Sequence, residues 1–115
     1  MRLIRTTKPH LAWLQGPGPS DLWTWTDENG EVKEQELTFF GRTVVWRQGL
    51  ILTGLSHESD AAGVFGRSGQ LDFDSRPDPH TLAAALQILE AIPPAIRTPA
   101  IQVFQESLVA ARSAP

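Results

Sequence analysis

The chain has 115 residues, 41% hydrophobic and 20% charged, the size and make-up of a single globular domain (1–115) built on one core. It has no cysteine, which excludes disulfides, thiolate metal sites and thiol nucleophiles; its net charge of −3, with eight arginines and two lysines scattered along the chain, argues against nucleic acid as a partner. No apolar run approaches the ~20 residues of a membrane span and the start MRLIRTTKPH lacks the apolar stretch of a signal peptide, so no membrane partner and a cytoplasmic location are expected.

Nine prolines and nine glycines promise many turns, and the excess of Arg over Lys with abundant Ala and Pro suits a GC-rich bacterial genome. Arg2 to Thr6 can add an edge strand. Thr7-Lys8-Pro9 then carries the marks of a helix start, with Thr7 as N-cap and proline in the first turn. His10 to Gln15 reads as a short helical turn, with a strand as the competing reading, because Leu11, Trp13 and Leu14 do not separate the two periods. Gly16-Pro17-Gly18-Pro19-Ser20 breaks any regular element.

From Leu22 to Leu55 the density of β-branched and aromatic residues, punctuated by turn signals, predicts an up-and-down antiparallel meander. Trp23 and Trp25 share one strand face, and Asn29-Gly30 offers the positive φ angles of a tight hairpin before a strand from Val32 to Phe40. Leu37 and Phe39 lie on one parity, whereas Phe40, Val44 and Trp46 lie on the other. A turn at Gly41 resets that parity, and a β-bulge there would do the same; the turn is favoured, as Gly41-Arg42. Gln48-Gly49 fits another turn. Leu50-Ile51-Leu52, apolar on both parities, reads as a strand covered on both faces or lying beside a helix.

Ser56 to Gly69 is small, polar and the longest loop, and Gln70 to Asp74 resumes alternation as a further strand. Asp78 is placed to cap a helix opening at Pro79, with Leu82, Leu86 and Leu89 as its apolar stripe. Pro93-Pro94 ends that helix. Thr98-Pro99 opens a second one, whose stripe is Ile101, Phe104, Leu108 and Val109. The fold class expected is therefore α+β: an antiparallel β-meander sheet of four to six strands with a C-terminal two-helix hairpin packed on one face.

Asp72, Asp74, Asp78 and His80 form the candidate metal or acid/base group, with Asp72 and Asp74 on one strand face, His80 as a nitrogen ligand, and His57, Glu58 and Asp60 in the loop before it. The plainer reading is a solvated strand face beside a helix cap. Gly63 to Gly69 with Arg67 could cradle a phosphate, but a strand follows where a phosphate loop needs a helix. Ser56, Ser59 and Ser68 beside His57 lack the strained elbow and orienting acid of a nucleophilic site. The tryptophans remain. Trp23, Trp25 and Trp46 are the candidate protein-binding residues: with helices on one face, the pair and Trp46 would lie open on the other as a partner surface or a homodimer interface. The expected function is that of a non-catalytic bacterial protein-interaction domain, an adaptor, accessory or immunity-type protein acting through its sheet, with no cofactor and with another protein or a second copy as partner. The alternative is a small-ligand or metal-dependent enzyme using the Ser56 to His80 region.

Overall fold

The computed structural model describes residues 2–4, 9–16, 20–56 and 71–113, the first three by their backbone. Seven strands lie side by side in chain order, every neighbouring pair antiparallel. They are β1 (Arg2–Ile4), β2 (Leu11–Gln15), β3 (Ser20–Thr26), β4 (Val32–Phe39), β5 (Arg42–Arg47), β6 (Leu50–Ser56) and β7 (Leu71–Phe73). Helices α1 (Pro79–Glu90) and α2 (Pro99–Ser113) follow, joined through a short 3₁₀ turn at Pro94–Ile96. The architecture is the α+β meander with a C-terminal helical pair that the sequence predicts, with one strand beyond the expected four to six.

The additional strand is β2, where the helical turn read over His10 to Gln15 gives way to the competing strand. It pairs with β3 from Leu11↔Trp25 to Gln15↔Asp21. Leu11 and Trp13 line one face of the sheet and Leu14 the other, so the apolar pattern cannot alternate, and long-range pairing with β3 decides what five residues leave open. The helix cap expected at Thr7 lies outside the described residues, as does most of the Ser56 to Gly69 loop and the Pro17 to Pro19 part of the earlier one.

The turns β3–β4, β4–β5 and β5–β6 each hold residues at positive φ. Gln48 (φ 51) and Gly49 (φ 86) form the two-residue turn between β5 and β6, as expected. The parity break at Gly41 is a turn too, but it is made by Phe40 (φ 48) and Gly41 (φ 78), one residue earlier than Gly41-Arg42. Phe40 is 77% exposed, so its ring returns nothing to the core for the strained backbone it occupies. The β3–β4 turn differs from the expected Asn29-Gly30 pair: only Gly30 has positive φ, and the loop is closed by Asp27, whose carboxylate accepts from the N–H groups of Asn29 (2.8 Å) and Glu31 (2.9 Å). Those bonds, led by the one from Glu31, hold the Asp27 carboxyl below its usual value of 3.8, with Lys33 adding its charge. A bulge follows, because Trp25 pairs with Glu34 but Thr26 with Val32, leaving Lys33 as the extra residue.

The two faces of the sheet are distinct. Leu14, Leu22, Leu37, Val44 and Thr53 form a row across five strands on the face the helices cover, all buried. Leu82, Leu86 and Leu89 of α1 and Ile101, Phe104 and Leu108 of α2 close on that row. Val109, expected in the second stripe, is instead 49% exposed. It follows Leu108 by ~100°, and one helix in contact with a sheet on one side buries only a narrow stripe. Asp78 caps α1 by accepting from the Thr81 N–H at 2.9 Å, with Pro79 in the first turn, and Thr98 accepts from the Ile101 N–H at 3.2 Å to cap α2. Arg97 closes the other end of α1, donating to the carbonyl oxygens of Leu89 and Ile92 and, at 2.6 Å, to Gln105 Oε1.

Two substitutions test this packing. Leu86→Ala is expected to cost about 2–5 kcal/mol, read as a lower urea midpoint at unchanged slope, whereas Val109→Ala stays within about 0.5 kcal/mol. Phe40→Asn, which places a residue tolerant of left-handed backbone at the turn, is expected to raise stability by about 1 kcal/mol.

Candidate functional site

The four tryptophans divide between the two faces. Trp13, Trp23 and Trp25 lie on the face opposite α1 and α2, where the Trp13 and Trp23 rings stack with centroids 4.6 Å apart and Trp23 and Trp25 follow at 6.3 Å. Trp13 Nε1 donates to Asp21 Oδ1 at 2.9 Å, so the polar tip of the outermost ring is satisfied. Trp46 is on the other face, against the helices, donating from Nε1 to Ser107 Oγ of α2 at 3.1 Å. The expected open trio therefore does not form: Trp46 shares no face with the pair, Trp23 is only 4% exposed, and Trp25 is half-buried. Beside this ladder the acidic residues of β4 are drawn inward. Glu34 and Glu36 are 4% and 0% exposed, and Glu34 accepts from Arg47 Nε at 3.0 Å. Register sets Glu36 between Trp23 and Val45.

The candidate metal residues have other partners. Asp74, just past β7, accepts from Arg42 Nη2 at 2.7 Å and from Thr53 Oγ1 at 2.6 Å. His80 sits exposed in the first turn of α1, and the side chain of Asp72 lies outside the described residues, together with His57, Glu58, Asp60, Ser59, Ser68 and the Gly63 to Gly69 stretch. Among the described residues no three His, Asp or Glu side chains are grouped to hold a metal ion. What Asp74 joins is a network around Arg42. Arg42 Nε donates to Thr81 Oγ1 at 3.0 Å, Thr81 Oγ1 donates to Asp78 Oδ2 at 2.6 Å, and the Asp78 N–H donates to Thr53 Oγ1 at 2.9 Å. Arg42 Nη2 also stands 3.8 Å from Asp78 Oδ2. The Thr81 hydroxyl and then its N–H hold the Asp78 carboxyl below its usual value of 3.8, helped by the charges of Arg42 and His80.

The consequence of this network is a gap. β6 has seven residues, but β7 pairs only with Gly54, Leu55 and Ser56, and Asp74 adds one bond from its N–H to the Thr53 carbonyl at 2.9 Å. There the chain leaves the sheet for α1, and Leu50 to Leu52 are passed by. The Arg47↔Leu50 pair closes the two-residue hairpin and so turns the backbone of Leu50 and Leu52 toward β5, while that of Ile51, in phase with Thr53, faces outward along the sheet edge. Alongside lies a cleft of about 1190 Å³, walled by Gly49 to Ile51, by the arm from Asp74 to Pro79 and by Ser107 to Arg112 of α2. Leu50 is 58% exposed at its rim. A smaller, more apolar concavity of about 600 Å³ lies at the far end of the same face, between Leu14, Leu22, Thr24 and Thr26 and the segment 95–101 that joins the helices.

Compared with known proteins, the chain matches no family model, no curated protein and no solved structure. No described helix is long and apolar enough to cross a membrane. The edge residues were missed in the sequence because Leu50 to Leu52 carry the composition of a covered strand; whether a strand has a neighbour is decided by where β7 stops. One signal was present, the Ser75 to Pro79 run that forces β7 to end.

The lowered carboxyl of Asp78 makes a pH prediction. A folded value below the unfolded 3.8 means that its contribution is complete above the unfolded value and is lost as the pH falls through the lowered folded one. Asp78→Asn keeps a capping side chain without the charge, so its melting temperature is expected to lie below the parent's at neutral pH and to fall less steeply below pH 4. Parallel acid limbs for the two proteins would disprove this account of the cap.

Proposed function

We propose that the protein is a non-catalytic interaction domain that takes an extended segment of a partner protein along the half of β6 that no described strand pairs. The carrying observation is the edge at Leu50 to Leu52, which no described strand pairs, beside a cleft of about 1190 Å³. That volume slightly exceeds the ~300–1,000 Å³ usual for small-molecule pockets, and an added strand is a recurring way for a sheet to hold a peptide. The edge is short, so backbone bonds at ~0.5–1.5 kcal/mol each can supply only part of an affinity, and the side chains around the cleft must supply the rest. The ionisable groups nearest the arm support binding over chemistry. Asp74 and Asp78 have structural partners in Arg42, Thr53 and Thr81. A bacterial adaptor, accessory or immunity-type role, in the cytoplasm, is the class that this reading fits. The tryptophan ladder serves as internal packing in it, and Trp25 and Trp13 contribute at most a margin of surface.

Photo-crosslinking tests the reading. A benzoylphenylalanine at position 50 is expected to give a discrete adduct in the native host, and the same group at Gln102, exposed on α2, is expected to give none. The captured protein, once purified, should bind the parent and lose about tenfold or more in affinity to Leu50→Asp, which places a charge on the edge. Equal adducts at both positions, or a captured protein indifferent to Leu50→Asp, would refute it.

A further inference from the structure

Resting on the edge reading above, the geometry points to an acidic extended segment of a partner protein as the occupant of the β6 cleft. The cleft is lined by three arginines, Arg42, Arg76 and Arg112, against two aspartates, Asp74 and Asp78. Arg42 stands within 4 Å of both carboxylates, so those three groups together carry a net charge of −1, which Arg76 and Arg112 turn to a net +1 for the lining. Arg76 and Arg112 are exposed and make no ion pair among the described residues. The local sign is therefore positive on a chain whose net charge is −3. Arg112 has a plainer role as the basic residue in the last turn of α2, where it offsets the negative end of the helix. Arg76 has no such helix end to serve. It sits on the arm that turns away from the edge, beside the place a continuing β7 would occupy.

The edge and the charges act together on one kind of ligand. A strand laid beside Ile51 sends alternate side chains to the helix-bearing side, where the two arginines stand, so acidic residues at every second position meet them. A second copy of this chain fits less well. Antiparallel pairing of two β6 edges about Ile51 would set both pairs of helices on the same side and bring two copies of Arg76 and Arg112 together, like charge against like.

The test uses three short fluorescein-labelled peptides in which valine alternates with glutamate, glutamine or lysine, titrated by fluorescence polarisation against the full chain. The glutamate peptide is expected to bind about tenfold more tightly than the glutamine one, to weaken as salt is raised, and to lose its advantage in Arg76→Gln with Arg112→Gln, whose side chains are exposed and outside the core. Equal binding of the glutamate and glutamine peptides, or a glutamate advantage unchanged in the double variant, would overturn the acidic occupant and leave the edge reading standing. Failure of all three peptides to bind would remove the edge reading, and the acidic occupant with it. A parent that forms dimers in light scattering, with dimerisation strengthened by Arg76→Gln and Arg112→Gln, would replace the acidic segment by a second copy.

Discussion

Arg42 holds the point at which the sheet ends and the helices begin. From β5 its guanidinium reaches the carboxylate that terminates β7, the hydroxyl in the first turn of α1 and the neighbourhood of the residue that caps that helix. A half-buried arginine is costly unless its donors are met, and here they are met by groups from three parts of the chain whose own lone pairs need donors. Thr53 adds a fourth part, its hydroxyl donating a hydrogen bond to Asp74 and accepting one from the backbone N–H of Asp78. The path of the chain between Phe73 and Pro79 follows from satisfying these partners at once.

The rest of the molecule takes its shape from that path. Because α1 starts above β5, its Leu82, Leu86 and Leu89 fall on the row from Leu22 to Val44, and α2 returns over β6 with Phe104 and Leu108 completing the core. Because β7 is abandoned after three residues, the near half of β6 has no neighbour on its outer side among the described residues. Sheets usually protect such edges by keeping the outermost strand short, by charge or by a covering element. Here the outermost strand is short, but the next one inward is long.

The face opposite α1 and α2 is organised differently. Stacked tryptophans at 4.6 and 6.3 Å gain from ring contact as well as from burial, and Trp13 spends its one polar group on Asp21. Burying Glu34 and Glu36 beside them carries a desolvation cost, met for Glu34 by Arg47 across the strand. Such a face holds the sheet together from behind. With Trp23 almost wholly covered, it offers little of the aromatic area that an exposed ladder would present.

What the sequence determined by itself was local chemistry. Gln48-Gly49 is a turn because its backbone angles demand residues that tolerate them, Asp78-Pro79 and Thr98-Pro99 start helices because side-chain oxygens satisfy their first N–H groups, and Leu82, Leu86, Leu89, Ile101, Phe104 and Leu108 face the core because helical spacing brings them to one side. The meander itself was legible for the same reason, since each strand pairs with its neighbour in the chain. Only the tertiary structure decided the remainder. Leu11–Gln15 became a strand through its pairing with β3, and Glu36 was buried although its neighbours Lys33, Glu34 and Gln35 read as a polar run. The candidate edge belongs to this second kind. Leu50 to Leu52 look the same in sequence whether a strand lies beside them or not, because an open backbone edge is the absence of a neighbour, and that depends on where a distant segment, held by Arg42, leaves the sheet.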